Sequence, residues 1–92
     1  VKASPAELVA MESFAANVQR LRRKRGWTQE AFADAVGFSP RYIRRLESGE
    51  VDATLRTMAR VAAALGVPLA SMLKVSRLPE PKPGRPRARR AP

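Results

Sequence analysis

Apolar side chains recur at three- and four-residue intervals along most of this chain, and residues that start or stop helices bound each run. Phe14, Val18 and Leu21 keep one apolar face over 13–24, and Gly26 ends that run. Thr28 caps a second predicted helix over 29–36, with Trp27 before the cap and Phe32 inside forming a hydrophobic staple. Only Gly37, Phe38 and Ser39 separate it from a third. There Ser39 is the N-cap, Pro40 suits the first position, Phe38 and Ile43 form a second staple, and Gly49 ends the helix. Thr54 caps a fourth helix reaching Leu65, with Leu55, Met58, Val61, Ala62 and Leu65 facing inward and Gly66 just past its end. A short fifth helix covers 68–73. No alternating run predicts a strand, so the expected fold is all-α with five helices.

The ends of the chain read differently. Ser4, Pro5 and Glu7 have the N-cap, N1 and N3 chemistry of a helix start, so the lead-in 1–12 is expected to be partly helical. Met11 is equally a candidate native start, with upstream or vector-derived residues before it; the sequence leaves both open. From Val75 onward the chain carries five prolines and only Val75 and Leu78 as sizeable apolar groups. Such a segment buries too little surface to offset the entropy of ordering it, so 75–92 is expected to be a disordered tail after a domain over 13–74.

Charge then narrows the partners. Eighteen Lys and Arg face eight Asp and Glu, a net +10 on 92 residues. A field of that sign attracts polyanions, nucleic acid first and anionic membrane second. Cysteine and histidine are both absent, which removes disulfides, thiol nucleophiles, the commonest general base and the usual zinc-ligand sets. No enzyme, cofactor or metal site is expected. No apolar run approaches membrane-spanning length, so no membrane role is expected and a cytoplasmic protein is the plain reading.

The second and third helices carry the function. Helices joined by so short a turn cross steeply and touch closely, which calls for a small residue at the contact (Ala33) and one that accepts positive φ in the turn (Gly37). Phe32, Val36, Phe38, Ile43 and Leu46 pin both helices to a shared core. The third helix, 39–48, then turns Ser39, Pro40, Arg41, Arg44, Arg45 and Ser48 outward, and an α-helix fits the major groove of DNA. Arg41 and Arg45, four apart, lie one above the other; two like charges so placed call for an external anion.

The stretch Arg-Gly-Trp-Thr-Gln-Glu-Ala-Phe-Ala-Asp-Ala-Val-Gly-Phe-Ser (25–39), then Tyr-Ile-Arg-Arg-Leu-Glu-Ser-Gly-Glu (42–50), resembles the phage-repressor and Cro-like (XRE) helix-turn-helix family, and Ala-Ala-Leu-Gly-Val-Pro-Leu-Ala-Ser-Met-Leu (63–73) matches the family's end. The resemblance spans about 14–73. It implies a lambda-repressor-like five-helix domain, a bacterial or phage origin and a dimer on a palindromic operator in double-stranded DNA. By the same resemblance Pro40, Arg41, Arg44 and Arg45 would face bases. Thr28, Gln29, Ser39, Tyr42 and Ser48 would meet phosphates, and the basic cluster at the end of the first helix, by its charge, adds Arg23 and Arg25 at the rim. Arg22 and Glu47 match a structural ion pair between the first and third helices. The chain departs from the family pattern at Pro40, which donates no hydrogen bond where a polar residue often reads a base. It departs also at Arg44, where a small residue is common, and at Ala53, where proline usually precedes the fourth helix.

Other features refine this reading. Arg20, Arg22, Arg23, Lys24 and Arg25 exceed what the dipole at one helix end calls for, so they are assigned a mixed role, with Arg22 inward and the others exposed. Trp27 is read as core packing, not as a stacking platform for single strands. The tail holds six basic residues, with Lys74 just before it, against Glu80, and Gly84-Arg85-Pro86-Arg87 resembles part of an AT-hook, with Pro83 where an arginine would complete it. Phosphate binding without sequence preference is the expected role of the tail. Leu69, Met72, Leu73, Val75 and Leu78 are expected either to close the core or to form part of a dimer surface. The leading expectation is a dimeric operator-binding transcriptional regulator. Two alternatives stay open: an antitoxin-type protein that binds a protein partner through its tail, and a nucleoid-associated binder of low specificity.

Overall fold

Helix α1 starts where Ser4 accepts the Glu7 amide and the Glu7 carboxylate accepts the Ser4 amide, both at 3.2 Å, with Pro5 at the first position. The computed structural model describes residues 2–79, and these form five helices: α1 (Pro5–Lys24), α2 (Gln29–Val36), α3 (Pro40–Glu47), α4 (Leu55–Leu65) and α5 (Leu69–Met72). There is no strand among the described residues. The lead-in is thus the first two turns of one twenty-residue helix, because nothing between Pro5 and Ser13 breaks it. No described helix is long and apolar enough to cross a membrane.

Phe14 and Val18 of α1, Phe32, Ala33 and Val36 of α2, Ile43 and Leu46 of α3, Val61, Ala62 and Leu65 of α4, and Met72 of α5 share one core. Each large apolar side chain taken fully out of water contributes about 1.5–3 kcal/mol, so the six wholly enclosed ones, Val18, Phe32, Ile43, Leu46, Val61 and Met72, dominate the packing. Thr28, Ser39 and Thr54 accept the amides of Ala31, Tyr42 and Thr57 as N-caps, and Gly66 ends α4 in the left-handed conformation. Trp27 stacks on Phe32 with ring centroids 5.7 Å apart, which is the staple at the head of α2.

Two expectations need correction. Leu55, expected inward, is 66% exposed. It shares a helical face with Met58 and Val61, but it occupies the first position of α4, and no other element covers that turn. The chain after α5 also departs from the reading as free tail from Val75. Residues 75–79 have no regular secondary structure, yet they are fixed to α1. Asn17 donates from Nδ2 to the carbonyls of Met72 and Lys74, both at 2.9 Å. Ser13 accepts the Ser76 amide at 3.0 Å, and Glu12 accepts the Leu78 amide at 3.0 Å. Ser13 and Asn17 are buried for this reason. Of the apolar groups at the domain's end, Met72 enters the core, Leu69 packs against it, and Leu73 and Val75 are exposed. Residues 80–92, and with them the AT-hook-like stretch, lie outside the described residues.

Candidate nucleic-acid interface

The turn between α2 and α3 is closed on both sides. Gly37 sits at φ +89°, and its amide and that of Phe38 both return to the Ala33 carbonyl, at 2.8 and 2.9 Å. Such a conformation costs an L-residue with a Cβ about 1–2 kcal/mol, so glycine belongs there. Arg60 of α4 reaches across, donating from Nε to the Val36 carbonyl at 3.0 Å, with its guanidinium 5.2 Å from the Phe38 ring centre. It satisfies the carbonyl end of α2 and holds the turn against α4. Arg60 carries no sign of this in the sequence, where it reads as one more basic residue on a polar face.

The angle of α3 is set by its buried side. Ile43 and Leu46 lie in the core, and Phe38 and Tyr42 meet edge to face at 4.9 Å. At its C-terminal end Glu47 is 2% exposed and takes three hydrogen bonds. Arg22 gives two, Nε to Oε2 at 2.6 Å and Nη2 to Oε1 at 3.1 Å, and Gln29 gives the third from Nε2 to Oε1 at 3.0 Å. The remaining Arg22 nitrogen, Nη1, donates to the Trp27 carbonyl at 2.6 Å. One charge pair therefore joins the end of α1, the start of α2 and the end of α3. Burial makes the arrangement depend on every partner being present, because a charge left alone in such a site is costly.

Three arginines leave α3 outward. Arg41 has no acidic partner within ion-pair distance among the described residues. Arg44 lies 3.8 Å from Glu30 of α2, and Arg45 lies 3.8 Å from Glu50 in the following loop. All four side chains of these two pairs are more than half exposed, so the pairs are weak and open to exchange for another anion. Glu30 and Glu50 are partners the sequence reading missed; the short turn brings α2 and α3 together, but it does not say which polar side chains of α2 or of the following loop face the arginines. Pro40, half-buried, opens the same face, and Ser39 beside it uses its hydroxyl to accept the Tyr42 amide at 3.1 Å. Ser48 follows α3, exposed, its hydroxyl 2.8 Å from the Arg45 carbonyl and 2.9 Å from Glu50 Oε2.

The other expected phosphate contacts fall in two groups. Thr28 and Gln29 stand at the start of α2, where the Thr28 hydroxyl accepts only the Ala31 amide at 3.0 Å. The Gln29 side-chain nitrogen is turned to Glu47, so at this helix end the outward donors are the backbone amides of Gln29 and Glu30, which have no partner among the described residues. Arg23 is exposed and lines a shallow depression with Gln19, Glu47, Ser48, Leu78 and Pro79, next to the end of α3. The Arg25 guanidinium lies 5.1 Å from the Trp27 ring centre and against Gly66 at the end of α4. There it meets the negative end of the α4 dipole.

These elements define a class: a small five-helix unit whose second and third helices meet at a left-handed glycine turn and whose third helix presents a basic face on a rigid base. The chain belongs to the helix-turn-helix family (HTH_3), whose model matches residues 18–72. It is 45% identical over 51 residues to the uncharacterised HTH-type transcriptional regulator y4dJ of Sinorhizobium fredii, a match covering 55% of this chain and 66% of that protein. The chain spans less than two thirds of the length of the curated relatives it matches. The crystal structure of a hypothetical transcription factor, NHTF, from Neisseria superposes with a TM-score of 0.71 at 28% identity, covering 82% of this chain and 86% of that one. The same helical unit recurs inside the hydroxypropylphosphonic acid epoxidase of S. wedmorenis, at a TM-score of 0.67 and 26% identity. There it covers 71% of this chain and only 35% of the enzyme. The fold alone therefore does not separate regulator from enzyme.

Proposed function

We propose that this chain is a DNA-binding transcriptional regulator that lays α3 in the major groove of double-stranded DNA. The observation that carries this reading is the division of α3 into two faces. Ile43, Leu46 and Glu47 are buried, and Arg41, Arg44 and Arg45 project together with at most weak ionic partners. Arg41 and Arg45 read guanine edges, where a forked arginine contact discriminates by about 1–3 kcal/mol. Arg44 adds charge beside them, and Pro40 makes van der Waals contact. Ser39, Tyr42, Ser48, Arg23 and the amides at the start of α2 hold phosphates, with Thr28 at the rim; helix N-termini suit that task.

In this reading the chain works as a dimer on a two-fold-symmetric site, with two recognition helices about 34–36 Å apart. Exposed Leu8 and Val9 on the first turns of α1, Leu55 on α4, and Leu73 and Val75 after α5 supply apolar surface for a second copy. The DNA is that of the cell's own nucleoid, and the regulator acts by occupying its operator.

Selection of bound sequences from a random duplex pool at physiological salt tests the reading. An inverted repeat, with the selected complex holding two chains per duplex, is expected. Recovery of no shared sequence would replace it with a low-specificity binder and reduce Arg41 and Arg45 to phosphate contacts.

A further inference from the structure

Two carboxylates stand beside the basic face of α3, and they meet their arginines through different atoms. Glu30, the second residue of α2, places Oε2 3.8 Å from Nη1 of Arg44. Glu50 places Oε1 3.8 Å from Nε of Arg45. A forked contact to guanine O6 and N7 takes two guanidinium nitrogens on one edge. In Arg44 an end nitrogen is turned to Glu30. In Arg45 the inner nitrogen is turned to Glu50, which leaves the edge formed by Nη1 and Nη2 without a partner among the described residues. The two arginines, adjacent in the chain, are thus set up differently.

Glu50 owes its place to the way α3 ends. Ser48 is the C-cap, and Gly49 follows at φ +82°. This left-handed residue turns the chain back, so the Glu50 amide donates to the Arg45 carbonyl at 3.2 Å. The Ser48 hydroxyl stands 2.9 Å from Glu50 Oε2, the oxygen that does not face Arg45. One carboxylate oxygen is therefore tied to the helix end, and the other is turned to the guanidinium. In water the ion pair is weak, because both side chains are more than half exposed. In a DNA groove water is displaced, the local dielectric falls and the same pair strengthens. The carboxylate also repels phosphates whatever the sequence. Its presence is thus a cost on every duplex, offset where Arg45 finds a guanine.

Resting on the DNA-binding reading above, we infer that Glu50 is a positioning residue that determines specificity: it aims the end nitrogens of Arg45 at a guanine edge and penalises binding where that edge is absent. Glu30 plays the contrasting part. It competes with DNA for an end nitrogen of Arg44, and so lowers affinity for all sequences alike.

The test measures binding of the full chain to the duplex recovered by selection, to its single-base-pair variants and to a random duplex. Glu50→Gln keeps the size of the side chain and an oxygen for Ser48, and removes the charge. It is expected to unfold at the same temperature as the unaltered chain, to bind the random duplex more tightly, and to lower the ratio of selected to random binding about tenfold. The preference should be lost at the base pair that Arg45→Ala also relaxes. In an Arg45→Ala background, Glu50→Gln should leave the ratio unchanged to within about twofold. Glu30→Gln should tighten binding to both duplexes by the same factor. If Glu50→Gln also tightens both alike and keeps every base preference, Glu50 is a bulk repulsion and the inference is overturned. If it lowers the ratio as much without Arg45 as with it, Glu50 does not act through Arg45, and the inference is again overturned. If the unaltered chain selects no shared sequence, the sequence-reading role of α3 fails first, before any variant is compared.

Discussion

Arg22 and Glu47 form a two-pronged ion pair, with nitrogen–oxygen distances of 2.6 and 3.1 Å, at a point where α1, α2 and α3 converge. Both side chains are less than a tenth exposed. Removing either partner leaves a buried charge facing Gln29 and the Trp27 carbonyl. Glu47→Ala or Arg22→Ala is therefore expected to lower stability by about 3–5 kcal/mol. Replacing both, Arg22→Met with Glu47→Leu, should cost clearly less than the two single losses combined, because no charge is left alone. Denaturant unfolding of the three variants checks this, and simple additivity would show that the pair is not coupled.

The sequence made this pair legible only through family resemblance, whereas the helices were legible from local chemistry. Thr28, Ser39 and Thr54 act as N-caps, and Gly37 and Gly66 end their helices in left-handed geometry, because capping is a contact within one turn of chain. Periodicity placed Met58, Val61, Ala62 and Leu65 on the inner side of α4, but it reports a face and not its reach. That is why Leu55, which the period turns inward, stands in solvent. The anchoring of the chain after α5 on α1 is invisible in the sequence for a different reason. Ser13 and Asn17 look like polar surface positions on α1, and their partners lie 55–63 residues away. Of the site, the outward residues of α3 follow from its buried stripe. The Gln29–Glu47 hydrogen bond and the place of Arg60 depend on how helices pack, which no spacing encodes.

Gly37 and Arg60 give a second prediction. A Cβ on Gly37 would stand 3.0 Å from an Arg60 guanidinium nitrogen, at a φ of +89°. Gly37→Ala should lower stability by about 1–2 kcal/mol from backbone strain alone. The guanidinium is the far end of a flexible side chain and can give way, at the cost of its bond to the Val36 carbonyl. The same substitution in an Arg60→Ala background should therefore cost no more than the backbone part. A larger cost without Arg60 than with it would mean that the clash is not with that side chain.

Arg45 is expected to contribute to recognition far more than to folding. Its contact with Glu50 is long and exposed, so Arg45→Ala should shift unfolding by no more than about 0.5 kcal/mol. On the selected duplex the same change should cost about 1–3 kcal/mol and relax the preference at one base pair. Titrations against single-base-pair variants of that duplex, beside a random duplex, separate the outcomes. Equal losses on every sequence would move Arg45 to a phosphate contact.

Ser39 separates folding from binding at one atom. Its hydroxyl accepts the Tyr42 amide and caps α3, while the residue itself stands exposed beside Pro40 and Arg41. Ser39→Ala removes the cap and should lower stability by about 0.5–2 kcal/mol. Ser39→Asp keeps an acceptor at the same place, and its charge suits the positive end of the helix dipole, so stability should be kept or raised. The new carboxylate would face the DNA backbone. Ser39→Asp should thus bind every duplex at least about tenfold more weakly than the unaltered chain, since one phosphate contact becomes a repulsion. Thermal unfolding and binding measured on the same samples decide it. If Ser39→Asp binds as well as the unaltered chain, the N-terminal end of α3 does not approach DNA, and the docking of this helix in the groove must be drawn differently.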